Sequence, residues 1–223
     1  MIVKEFILLN HFPLVQSYFL QINDLDLGIE RDKRIWDRAL KVYYKIIDEV
    51  CLKVVYKCEV PRNIEGKDLE LSNTTISSNA FEILRKEDIK SSYVYMMTIG
   101  RCNIQSERIL DQLLCDSWGT AFIDAGRELF KQYLENEMEG IISESFGPGF
   151  YGMSVWELYK FFEIINADIL NLYINQKGML VPEKSCAGIF FQLKEGSKLP
   201  PSACDSCKGN LSGCQFCNIY KKA

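Results

Sequence analysis

Between residues 30 and 50, Ile35, Ala39, Val42, Ile46 and Val50 recur every three or four positions among charged neighbours. At 3.6 residues per turn that spacing gathers them on one face, so the segment is expected to be an amphipathic helix. The same period returns from Ser106 to Glu139 through Ile109, Leu113, Ala121, Phe122, Ala125, Leu129 and Tyr133, with Gly119 marking close packing or a small bend. Other stretches carry a strand pattern. IVKEFILL (2–9) mixes apolar and charged positions, and LKVVYKCEV (52–60) alternates until Pro61, which removes a ladder donor. YVYMMTIG (93–100) is an unbroken apolar run bounded by Ser-Ser and Gly, the pattern of a strand buried on both faces. ADILNLYI (167–174) and CAGIFFQL (186–193) are expected as strands flanking a turn around Gly178 and Pro182, while Arg62 to Asn79 is polar and turn-rich. Ser154 and Glu157 have the spacing of a capping box ahead of a helix over about 155–165. Helices and strands mix without a strict βαβ alternation, which places the chain in the α+β class with an antiparallel or mixed sheet.

The composition narrows the function. With 223 residues, 48% of them hydrophobic, the chain can bury one domain's core and carry a small appendage. Its 26 basic and 30 acidic residues leave a net charge of −4, so no global field attracts nucleic acid. The opening MIVKEFILLNHFPLVQ interrupts its apolar run with Lys4, Glu5 and His11 and has no small-residue cleavage site, which argues against a signal peptide or a spanning helix. A cytoplasmic location, away from membranes, is the expectation. In such a chain nine cysteines point to thiols or metal ligands rather than disulfides.

Candidate chemistry is concentrated in two places. In FGPGFYG, Gly147, Gly149 and Gly152 can adopt positive φ, and Pro148 fixes its own. Two readings stay open: a tight turn stapled by Phe150 and Tyr151, or a platform whose bare backbone and aromatic walls admit a flat or anionic ligand. Neither a Walker loop nor a dinucleotide fingerprint is present. Near the end of the chain, Cys204, Cys207, Cys214 and Cys217 form two CxxC pairs, each able to turn two thiolates toward one metal. Zinc and an iron-sulfur cluster both suit four soft thiolates, and the spacing does not choose between them. Cys51, Cys58, Cys102, Cys115 and Cys186 fall within expected elements, where free cysteine packs as a small hydrophobe. His11 is the only histidine, which argues against a His-based triad or metal centre. Asp111, Asp116, Asp124 and Glu128 read as solvated charges of the long helix.

Taken in order, LKVVYKCEV, YVYMMTIG, DSWGTAFIDAG (116–126) and GPGFYGMSVWEL with the later GMLVPEKSCAGIFF (178–191) resemble the activation domain of cobalamin-dependent methionine synthase in a free-standing form, over about residues 30–193. The resemblance implies one α+β domain (1–195) with a twisted, mainly antiparallel sheet and packed helices. It also implies S-adenosylmethionine binding and the return of an oxidised corrinoid to its methylated state. Gly147, Pro148, Gly149, Phe150, Tyr151 and Gly152 would be the loop facing the cofactors. This chain departs from the family at three polar positions: Ser145 stands for the ligand-binding arginine, Thr120 for the acid on the long helix, and Gln176 with Lys177 for a Glu-Ser pair. Weak or absent S-adenosylmethionine binding is therefore expected, since serine offers no planar, charged fork. The Cys-rich metal-binding tail (196–223) is an addition, of a kind associated with corrinoid-pathway proteins of anaerobes. The implied function is an accessory or reductive activator of a corrinoid-dependent methyltransferase system, acting on a separate corrinoid protein and drawing on an electron donor. The alternative is a non-catalytic docking module with a structural zinc tail.

Overall fold

The computed structural model describes residues 1–150 and 152–197. Its strands are β1 (Ile2–Phe6), β2 (Leu52–Glu59), β3 (Asn63–Glu65), β4 (Asp68–Glu70), β5 (Thr75–Ser77), β6 (Ile89–Thr98), β7 (Ile141–Ile142), β8 (Tyr173–Ile174), β9 (Leu180–Val181) and β10 (Ser185–Leu193). The helices are α1 (Phe12–Ile22), α2 (Glu30–Ile46), α3 (Ile109–Glu137) and α4 (Leu158–Ile164). A curled five-stranded sheet in the order β1-β2-β6-β10-β7, antiparallel at every pairing, forms the centre of an α+β domain.

Alternation along these strands builds two cores. Leu52, Val54, Tyr56, Tyr93, Tyr95, Met97 and Phe190 face α1, α2 and α3, where Trp36, Trp118 and Phe122 are buried with them. Val55, Val94, Met96, Ala187, Ile189 and Phe191 face the other way, against the small β3-β4-β5 sheet and α4. A strand covered on both sides needs apolar residues at consecutive positions, which accounts for the run in β6.

Helix α3 lies close to the sheet because it carries glycine where β2 and the start of β10 approach. A Cβ at Gly126 would stand 2.6 Å from a Leu52 methyl, and one at Gly119 would stand 2.8 Å from the Lys184 side chain. Close packing at Gly119 is as the pattern implies. Ile109 and Leu113, by contrast, are exposed, and Leu114, Cys115 and Trp118 take the inward positions of the first turns.

Several expectations are corrected. ADILNLYI is mostly not a strand: Asn166 Oδ1 accepts from the Asp168 amide at 3.2 Å, starting a 3-10 turn that ends with Asn171 in left-handed conformation (φ 54°). Only Tyr173–Ile174 pairs, with β9. The polar segment after Pro61 contains three short strands, fixed by the fully buried Leu69 and Ile76. Ser154 caps, but its hydroxyl accepts from the Trp156 amide, while Glu157 accepts from the Ser77 amide at 3.0 Å and pairs with Lys160. Cys51 and Cys58 are exposed rather than core, one in the link before β2 and the other near its end. Asp111 is buried, not solvated: it accepts from Arg38 and, at 2.8 Å, from Ser106, and these bonds, the arginine's first, hold its carboxyl down to about 2. That pair ties the start of α3 to α2. No helix among the described residues is long and apolar enough to cross a membrane.

Candidate functional site

The loop after β7 runs beside β10, with Phe146 bridged to Ile189 and its ring buried in the small-sheet core. A Cβ on Gly147 would run into the Ala187 carbonyl, so only glycine permits this approach. The chain then folds back on itself. The Gly149 amide donates to the Met153 carbonyl at 2.9 Å, Phe150 to Gly147 at 3.1 Å and Met153 to Phe150 at 2.9 Å. Gly149 and Gly152 take φ of 86° and 73°, a region that a side chain strains. With Phe146 and Met153 buried at its two ends, the loop is anchored, and Phe150 is left 44% exposed. Tyr151 lies outside the described residues.

Immediately beyond, Trp156 and Tyr159 stack face to face, centroids 6.2 Å apart and planes 7° from parallel. Both rings are more than half exposed. Val155 joins them to the loop, 3.7 Å from the Cβ position of Gly149, and a Cβ at Gly178 would stand 3.3 Å from the Trp156 ring. Phe150, Val155, Trp156, Tyr159 and Met179 thus form an exposed apolar patch on one side of the glycine loop. Sequence reasoning missed Trp156 and Tyr159. Their signal was present in VWELY, two aromatics three residues apart directly after a helix cap.

Two of the three polar positions singled out above are brought to one strip along β10. Ser145 Oγ lies 2.7 Å from the Tyr95 hydroxyl, over Gly188, where a Cβ would stand 2.5 Å from that oxygen. Burial pushes the Tyr95 phenol up. Thr120 accepts a hydrogen bond from Lys184 Nζ at 3.1 Å, and Lys184 also pairs with Asp116 at 2.7 Å. Cys186, whose thiol burial pushes up to about 11, stands between these positions. Arg127 on α3 acts electrostatically on both Cys186 and Tyr95 and is paired with Asp124, whose carboxyl is itself raised by burial. Gln176 and Lys177 are placed elsewhere, in the turn that Asn175 Oδ1 closes by accepting from the Lys177 and Met179 amides. A cavity of about 540 Å³, lined in part by the same Lys184 and Asp116, opens between the segment after β6 (100–104), α3 and residues 181–184.

Cys204, Cys207, Cys214 and Cys217 lie outside the described residues. Among the described residues no three His, Cys, Asp or Glu side chains are grouped to hold a metal.

No protein-family model and no curated protein matches this sequence. Among solved structures, the fold is similar to that of the MetH reactivation domain in its crystal structure bound to AdoHcy, with a TM-score of 0.62 over 90% of this chain and 81% of that one, at 12% sequence identity. The chain therefore has the fold of a methionine synthase reactivation domain.

Proposed function

We propose that the chain is an accessory or activator in a corrinoid-dependent methyl-transfer system and that it docks on a separate corrinoid-carrying protein through the patch of Phe150, Val155, Trp156 and Tyr159. The observation that carries this reading is the pairing of a reactivation-domain fold with an anchored glycine-proline loop beside which Phe150, Trp156 and Tyr159 are exposed to solvent. Rigid, exposed aromatics supply large contact area at small entropic cost, and they dominate binding where they become desolvated. Returning the partner's cobalt to its reduced state would require one electron, so an electron donor is part of the proposal. The paired CxxC motifs support a four-thiolate centre in the tail for that relay, as an iron-sulfur cluster, or for a structural zinc.

The test is affinity for a purified corrinoid protein. Replacing Trp156 and Tyr159 together by alanine is expected to weaken capture at least tenfold, because each exposed ring of such a patch contributes about 1–2 kcal/mol when buried at an interface. The domain's thermal unfolding should be unchanged, since both rings are already half in water. Gly149→Arg adds a charged side chain beside Val155 at a positive φ and should weaken capture as well. Equal capture by all three forms would place the interface elsewhere.

A specific observation favours a docking role without a methyl donor. Along the β10 strip the charged groups have partners within the chain, Lys184 with Asp116 and Arg127 with Asp124, and Ser145 is engaged by Tyr95. A charged ligand placed there would have to displace those partners. Each missing charge-assisted bond costs about 1.5–3 kcal/mol, so losing two weakens binding a hundredfold or more. Titration calorimetry with S-adenosylmethionine is expected to give no binding in the micromolar range, and a micromolar isotherm would contradict the docking-only reading.

A further inference from the structure

Cys102 and Cys115 are brought together at the wall of the 540 Å³ cavity. Cys102 stands in the irregular segment after β6, and Cys115 on the second turn of α3. Their sulfurs are 3.8 Å apart, and each sulfur also faces the other residue's carbonyl, at 3.7 and 3.6 Å. Cys115 is 3% exposed, whereas Cys102 is only partly buried.

Two thiols in contact deep in a core would be packing groups and nothing more. These two instead share a cavity wall with Arg101, Asn103, Gln112 and Lys184, so a polar molecule can reach them. A disulfide needs its sulfurs about 2 Å apart, which asks less than 2 Å of closure. The segment that carries Cys102 lies between β6 and α3, outside both elements, and begins at Gly100 (φ 76°), with nothing within 4 Å of its Cβ position. Closure can therefore occur without shifting α3.

We propose that Cys102 and Cys115 form a redox-active dithiol site that exchanges two electrons with small thiols and disulfides entering this cavity. In oxidation, the Cys102 sulfur attacks a low-molecular-weight disulfide. A bond forms between Cys102 Sγ and one of its sulfurs, the original S–S bond breaks, and the released thiol carries away the Cys102 proton. Cys115 then attacks Cys102 Sγ, closing the protein disulfide and expelling the second small thiol with the Cys115 proton. Two protein S–H groups become one S–S bond, and one small disulfide becomes two thiols. Reduction reverses both steps: an external thiolate attacks the more accessible Cys102 and expels Cys115.

Access assigns these roles: Cys102 is partly exposed and meets the small molecule first, whereas Cys115, 3% exposed, resolves. The contact between the two sulfurs holds Cys115 below the ordinary thiol range and pushes Cys102 above it. The Lys184 charge lowers both, against burial and the Asp116 carboxylate. A thiol with a depressed pKa is the better leaving group, which suits Cys115 to be expelled when an external thiolate attacks Cys102.

The experiment equilibrates the full chain in anaerobic buffers of graded oxidised-to-reduced glutathione, quenches with acid, alkylates, and maps the cysteines by mass spectrometry. A peptide pair joined through Cys102 and Cys115 is expected, rising with a two-electron dependence on the ratio. In Cys115→Ser, Cys102 should accumulate as the mixed disulfide with glutathione, which the wild type resolves. Cys102→Ser should leave Cys115 free to alkylate after denaturation across the range. The wild-type linkage stands as a readout even if the Cys115 variant fails to fold. Absence of the linked pair in the most oxidising buffer, or preferential linkage of Cys102 to Cys204, Cys207, Cys214 or Cys217, overturns the proposal.

Discussion

Trp118→Ala is expected to lower the free energy of unfolding by about 3–5 kcal/mol, a large share of the roughly 5–15 kcal/mol that holds a domain together. Trp118 is fully buried where α1, α2 and α3 meet, stacked on Phe19 at 3.8 Å between centroids and surrounded by Tyr43 at 5.0 Å, Trp36 at 5.8 Å and Phe122 at 6.1 Å. Its indole N–H also donates to the Ala39 carbonyl at 2.9 Å. Alanine removes the ring that all three helices share, and the neighbours are themselves rigid aromatics with little freedom to fill the space. Trp118→Phe keeps most of the packing and loses that hydrogen bond, so its cost should be nearer 1–2 kcal/mol by the ordinary net value of a buried bond plus some lost volume. Urea unfolding followed by near-ultraviolet circular dichroism distinguishes the two. An alanine variant within 1 kcal/mol of the wild type would show that the three helices do not depend on this ring.

What the sequence revealed of the fold follows from burial. Where both faces of an element are covered, as in β6, or one face is covered by a regular stripe, as through Ala39, Val42 and Ile46 in α2, the apolar pattern is dense enough to read. Where short polar groups decide the backbone, it misleads: the Asn166 side chain caps the Asp168 amide and Asn171 takes a left-handed φ, so an apolar stretch becomes a 3-10 turn in place of a ladder strand. The three small strands after Pro61 carry no readable period because β4 and β5 have one buried residue each, Leu69 and Ile76, and β3 has none. Asp111 could not be told from its solvated neighbours on α3, since its partner Arg38 is 73 residues away.

The candidate site shows the same division. The glycine-proline loop was legible because φ restrictions are local properties of Gly and Pro, and Gly149 and Gly152 do adopt positive φ. The patch beside it was not legible, because exposure of Trp156 and Tyr159 depends on what α4 packs against, and large aromatics are more often buried. Cys115 is buried in the core and Cys102 packs against it, as the pattern implies, but their mutual contact depends on the segment after β6 turning back onto α3, which no local period states.

Converting Cys204 and Cys207 to serine is expected to take the metal content from about one centre per chain to none. Two CxxC pairs offer four thiolates, and removing one pair leaves two, too few to close a tetrahedral zinc site or to hold a cluster. Structural zinc in such sites binds with about 10–16 kcal/mol, most of which depends on having all four ligands. Among the described residues there is no group of three His, Cys, Asp or Glu to compete, so metal measured on the wild type and absent from the variant reports on the tail. The two cores of residues 1–197 are built from the chain's own apolar contacts, and the variant should unfold at the wild-type temperature. Anaerobic purification followed by metal and sulfide analysis gives the reading. Iron with sulfide would make the tail an electron relay and supply the reductive half of the proposed activator, whereas zinc alone would make it a clasp and require the electron to come from another protein. Neither metal, with all four thiols alkylated freely, would mean that the paired motifs bind nothing.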